Sequence, residues 1–128
     1  MDPIHIAPTD NTPEVRLDPR AATLSIVGES YPENVAAFFE PLLESLNEFL
    51  ETAGSLEVSF HLQYFNTSSA KFFYDLFLIL ERASARIAVK VIWYYREDDE
   101  IMQEHGEDFQ LDFKLPVELV TLPVSTQA

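Results

Sequence analysis

Apolar and polar residues alternate strictly along Leu56-Glu57-Val58-Ser59-Phe60-His61-Leu62-Gln63-Tyr64. That pattern predicts a long strand with Leu56, Val58, Phe60, Leu62 and Tyr64 on one face. A sheet built on such a strand carries helices on one side only. Glu14–Asp18 and Thr23–Gly28 alternate in the same way across a Pro19-Arg20 turn, which predicts an antiparallel pair. Ile87–Tyr94 is nearly continuous and β-branched, the pattern of a central, mostly buried strand.

Between these runs the apolar spacing changes to that of helices. Val35, Phe39, Leu42, Leu43, Leu46 and Leu50 form one stripe. Ser30-Tyr31-Pro32-Glu33 has the form of a capping box ahead of it, and Gly54 follows as a C-cap. Pro41 lies inside this helix, removes the bond to the carbonyl of Ala37, and predicts a kink toward solvent. A second helix is expected from Thr67–Ser69 to about Ala85, with Ser69, Phe73, Leu76, Phe77, Leu80 and Ser84 on one face. Its opposite side carries Lys71, Tyr74, Asp75, Leu78 and Arg82. Tyr74 and Leu78 there read as exposed and, with Lys71, as a partner surface. Arg96-Glu97-Asp98-Asp99-Glu100 opens a short acidic helix whose first turn suits the helix dipole. Phe109–Leu122 reads as a loop and a final strand or extended tail. The expected fold is α/β, with a mixed sheet of about four strands in the order β-β-α-β-α-β-α and helices mainly on one face. Residues 1–128 make a single domain, with 1–12 and 123–128 as flexible or extended ends.

Composition narrows the function. The chain holds 22 Asp and Glu against 8 Lys and Arg, a net charge of −14. Such a field repels phosphate backbones and anionic headgroups, so neither nucleic acid nor a membrane surface is an expected partner. A protein is. With no cysteine, thiol catalysis and thiolate metal sites are excluded. Met1–Thr12 lacks the basic and apolar regions of a signal peptide, and no apolar run is long enough to span a bilayer, so a cytoplasmic location is expected.

The three histidines, His5, His61 and His105, lack metal-ligand spacing, and His61 falls on the polar face of its strand. Glu97–Glu100 could meet a hard cation only if acids pointing in different directions around a helix converged, so no metal or cofactor is expected. No Gly-rich phosphate loop is present, and no base is identifiable for Ser68 or Ser69. The chain does not read as an enzyme.

Thr67-Ser68-Ser69 is the informative cluster. It lies where a strand gives way to a helix, at the carboxyl edge of the sheet, which is the usual functional edge of open α/β folds. A helix N-terminus suits a capping hydroxyl and equally a phosphate. A phosphate would add roughly −1.5 to −2 charges there. Thr67, Ser68 and Ser69 thus read as local caps or phosphate acceptors, a switch that needs no active site.

Three segments carry a family resemblance: Gly28-Glu29-Ser30-Tyr31-Pro32-Glu33-Asn34, Tyr64-Phe65-Asn66-Thr67-Ser68-Ser69 with Lys71, and Trp93-Tyr94-Tyr95 leading into the acidic helix. From about Ile4 to Leu119 the chain resembles the SiaC-type regulatory phosphoproteins. The resemblance implies a fold similar to the STAS anti-sigma-factor antagonists. It also implies an adaptor switched by reversible phosphorylation at the position of Thr67. The unmodified form would bind and activate a diguanylate cyclase, promoting cyclic-di-GMP synthesis and biofilm formation. A serine/threonine kinase of the anti-sigma-factor type would modify it, and a PP2C-like phosphatase would reverse the change. Two other readings stand beside this one. The first is an anti-sigma-factor antagonist controlling transcription by partner switching. The second is an acidic small-molecule-binding or hydrolytic domain using Asp98 and Asp99.

Overall fold

In a computed structural model, residues 1–124 are described. Three strands come first: β1 (Ile4–Ile6), β2 (Glu14–Asp18) and β3 (Thr23–Ser30). Then α1 (Val35–Thr52), β4 (Ser55–Phe65), α2 (Thr67–Ala83), β5 (Ala88–Arg96), α3 (Glu100–Asp112) and β6 (Val117–Leu122) alternate. The sheet has six strands in sequential order, two more than expected. Strands β1, β2 and β3 pair antiparallel, whereas β3 to β6 are parallel. The three crossovers step across the sheet in one direction, so a common right hand puts α1, α2 and α3 on the same face.

That face is the core. Val15, Leu17, Leu24, Ile26, Val58, Phe60, Val91 and Trp93 are wholly buried beneath Phe39, Leu42, Leu46, Phe73, Leu76, Phe77 and Leu80. Phe60 is the hub: its ring lies 5.7 Å from Phe73, 5.4 Å from Phe77 and 5.2 Å from Trp93. Each buried phenyl ring contributes on the order of 2 kcal/mol from the area removed from water. The indole N–H of Trp93 donates to the carbonyl of Met102 at 3.0 Å, which fastens α3 to β5.

Several sequence expectations change. Ile4–Ile6 is a paired edge strand, too short to show a period, rather than an unpaired end. The final strand expected within Phe109–Leu122 is present as Val117–Leu122 beside β5, but α3 runs on to Asp112 where the loop was expected. Strand β5 alternates, because Ala88 and Lys90 are exposed while Val89, Val91 and Trp93 are buried. Its central position protects its backbone, not both of its faces. Ser30 is no helix cap: it ends β3, and Asn34 caps α1 by accepting from the N–H of Ala37 at 3.0 Å. Gly54 does not cap α1 in a left-handed turn, since the helix ends at an extended Ala53. Helix α1 passes unbroken through Pro41, and both Pro41 and Ala37 are exposed. Residues 125–128 of the expected C-terminal end lie outside the described residues.

Candidate functional site

The parallel strands β3 to β6 end along one edge, and the N-termini of all three helices open there. A bulge shapes this edge. Gly28 stands opposite Leu62, but Glu29 stands opposite Tyr64, so Gln63 is the extra residue in β4. One inserted residue reverses the face that each later side chain takes. Tyr64, expected in the core, is therefore 50% exposed, and Phe65 is buried in its place. Gly28 has a φ of 121°, a conformation strained for any side chain, and so permits the bend. Tyr64 meets the exposed Tyr31 edge-on, with ring centroids 5.7 Å apart.

Helix α2 starts three residues after Tyr64, behind an asparagine cap. The Asn66 side chain accepts from the N–H of Ser69 at 2.9 Å, and its carbonyl accepts from Ala70 at 2.9 Å. The capping role expected of the hydroxyls thus belongs to Asn66, which stands at the N-cap position with an extended backbone and aims its side-chain oxygen at the orphan donor. Thr67, Ser68 and Ser69 become the first three helical residues. Their fates differ. Thr67 and Ser68 are exposed, whereas Ser69 is wholly buried with its hydroxyl 2.8 Å from that of Ser30. Ser69 is removed as a secondary acceptor, because no kinase reaches a hydroxyl with no exposed surface.

The turn is held from several sides. The N–H of Asn66 donates to the carbonyl of Ser30 at 3.1 Å, and the N–H of Tyr31 donates to the carbonyl of Asn11 at 2.8 Å. Phe72 stacks on Phe39 of α1 at 3.9 Å, and Phe65 packs against Phe73 at 5.3 Å and His105 at 4.6 Å. Thr67 is thus an exposed hydroxyl on an ordered frame.

The other expected contacts divide. Lys71 is exposed, one helical turn beyond Thr67, and makes no ion pair among the described residues. With Val35, Ala36, Ser68, Phe72 and Asp75 it lines a groove of about 280 Å³ between the starts of α1 and α2. Tyr74 is 45% exposed and leans on Phe113 at 4.9 Å, on the α3 side of the helix rather than over the groove. Leu78, expected to be exposed, is half-buried against the core. Sequence reasoning missed Tyr31, Tyr64 and the capping Asn66. Only the asparagine had a local signal, an Asn immediately before the helix.

The acidic run is occupied by structural work. Asp99 caps α3 by accepting from Met102 at 3.0 Å, and Asp98 pairs with Arg96 at 3.2 Å. His5 contacts Glu14, and His61 lies on the open face of the sheet near Tyr94. Among the described residues no group of three or more His, Asp or Glu could hold a metal ion. No described helix is long and apolar enough to cross a membrane.

Known proteins share this architecture. The model of the SiaC family of regulatory phosphoproteins matches residues 6–122. An uncharacterised protein of Pseudomonas aeruginosa (strain UCBPP-PA14) is 35% identical over 118 residues, 91% of this chain and 94% of that protein. The structure of SiaC from Pseudomonas aeruginosa superposes with a TM-score of 0.88 at 32% identity, covering 95% of this chain and all of that one. A second match is to the crystal structure of the diguanylate cyclase SiaD in complex with its activator SiaC, from the same species. It has a TM-score of 0.88 at 33% identity, covering 93% of this chain and 99% of the matched one. With the family model spanning nearly all of the sequence, this chain belongs to the SiaC family of regulatory phosphoproteins.

Proposed function

We propose that this chain is a cytoplasmic, non-enzymatic adaptor that binds and activates a diguanylate cyclase, and that phosphorylation of Thr67 releases it. Active cyclase makes cyclic-di-GMP and so favours biofilm formation. The observation that carries the reading is the contrast within one turn: Thr67 is exposed at the head of α2, whereas Ser69 is buried and its hydroxyl is spent on Ser30. The SiaC chain solved with its cyclase, at a TM-score of 0.88 and 33% identity, supports a cyclase as the partner.

The chemistry of release is desolvation and charge. A phosphate at Thr67 would have to shed water to enter a packed interface beside Tyr31, Tyr64 and the apolar groove. A serine/threonine kinase of the anti-sigma-factor type adds the group in this reading, and a PP2C-like phosphatase removes it.

Phosphopeptide mapping after treatment with the kinase tests the acceptor. The modification is expected on Thr67 in the wild type and absent in Thr67→Ala, and Thr67→Asp is expected to activate the cyclase only weakly. Modification of Thr67→Ala to the wild-type level would place the acceptor elsewhere and defeat the reading.

A further inference from the structure

A phosphate added to a molecule of net charge −14 needs a specific reason to break one interface. Lys71 supplies it. Thr67 and Lys71 stand at positions i and i+4 on one exposed face of α2. Side chains on a helix lean toward its N-terminus, which favours reach from Lys71 back over the turn that holds Thr67, while Asp75, one turn on, lines the same groove without pairing with it. An acid placed four residues before a lysine is the favoured order for an intrahelical pair, and the N-terminal position adds the helix dipole on the acid's side.

Lys71 also has nothing else to hold. Arg16, Lys90 and Arg96 are each paired with a carboxylate, whereas Lys71, like Arg20, Arg82, Arg86 and Lys114, makes no ion pair among the described residues; Lys71 is the one of these at the groove beside Thr67. The only other cation within α2 is Arg82, three turns further on. The groove that Lys71 borders is floored by Val35, Ala36 and Phe72, an apolar slot whose rim carries Ser68, the cation Lys71 and, one turn on, Asp75, with no ion pair between the last two. Such a slot fits a protein segment that presents an apolar side chain next to a carboxylate.

We propose that Lys71 is a cation shared between two anions: a carboxylate of the docked partner when Thr67 is unmodified, and the phosphate of Thr67 when it is modified. Phosphorylation then withdraws the lysine from the groove as well as adding charge. This rests on the reading of Thr67 as the acceptor and goes beyond it by naming the groove, the partner chemistry and the residue that transmits the switch. The phosphoryl group itself reacts with nothing here; the change is an exchange of ion pairs.

The test uses the full chain phosphorylated at Thr67, as wild type, Lys71→Met and Lys71→Arg. Methionine keeps the stem and a good helix former while removing the charge. Phosphorus NMR follows the second ionisation of the phosphate, ordinarily near about pH 6. The wild type and Lys71→Arg are expected to titrate lower than Lys71→Met, since a neighbouring cation favours the dianion. In parallel, unmodified Lys71→Met is expected to bind the full-length diguanylate cyclase of the same organism about tenfold more weakly than wild type, with Lys71→Arg recovering most of the loss. Identical phosphate titrations in all three proteins would overturn the capture, and unchanged cyclase binding by Lys71→Met would overturn the docking role. If phosphorylation left wild-type binding intact, the acceptor reading would fail instead, and the titrations alone would still decide the pairing.

Discussion

The hydroxyls of Ser30 and Ser69 lie 2.8 Å apart with no exposed surface on either residue, joining the end of β3 to the first turn of α2. Two of the three segments that carry the family resemblance meet in this one bond. It fixes the helix start on which Thr67 is displayed, and it settles the division of labour among three adjacent hydroxyls. One is structural and two are open to solvent.

Removing one partner strands the other. Ser69→Ala is expected to destabilise the protein by about 1–3 kcal/mol, the cost of a buried hydroxyl left without a bond. The double variant Ser30→Ala/Ser69→Ala is expected to lose less than twice that, because no orphan remains. Urea denaturation of Ser30→Ala, Ser69→Ala and the double variant checks this. Strict additivity would mean that the two hydroxyls do not depend on each other.

Asn66 is expected to contribute as a cap. Asn66→Ala should cost about 1 kcal/mol, and Asn66→Asp should keep most of that stability. Amide exchange should quicken at Ser69, whose N–H loses its 2.9 Å acceptor. Unchanged protection at Ser69 in Asn66→Ala would show that another group holds the turn.

Gly106 allows α3 to lie close on the sheet. A Cβ placed there would stand 2.5 Å from Leu119 Cδ2 and 2.6 Å from Trp93 Cδ1. Both neighbours are held in the packed layer beneath α3, so Gly106→Ala is expected to cost about 1–3 kcal/mol despite alanine's better helix propensity. The Trp93 fluorescence should shift with it. A more stable Gly106→Ala would mean that the helix moves aside freely.

Far from the switch, hydrogen bonds from His5 and Arg16 hold the Glu14 carboxyl below its ordinary pKa. A lowered folded-state value means that this contribution is full above the ordinary carboxylate range and fades as the pH falls through the folded pKa. NMR titration should find Glu14 ionising at lower pH than unpartnered glutamates, and His5→Ala should raise it. A Glu14 midpoint that His5→Ala leaves unmoved would contradict the contact.

Much of the fold was legible because alternation and helical stripes report burial directly. Val15, Leu17, Leu24, Ile26, Leu56, Val58, Phe60 and Leu62 all fall on the buried face that their spacing predicts. The errors cluster where one residue changes the phase. The extra Gln63 turns Tyr64 outward, an insertion visible only once β3 and β4 are paired. The capping box at Ser30 failed because its hydroxyl is claimed by Ser69, 39 residues away in sequence. Strand β1, three residues long, is too short to show a period. The exposed threonine at the helix head was readable; the groove beside it was not, since it needs α1 and α2 side by side.

The most direct test is calorimetric titration of the cyclase with this chain, unmodified and stoichiometrically phosphorylated on Thr67, with cyclic-di-GMP production followed in the same samples. Docking that raises turnover for the bare threonine, and little heat or synthesis for the modified one, is the outcome this account requires. Equal affinity and equal turnover from the two forms would contradict it.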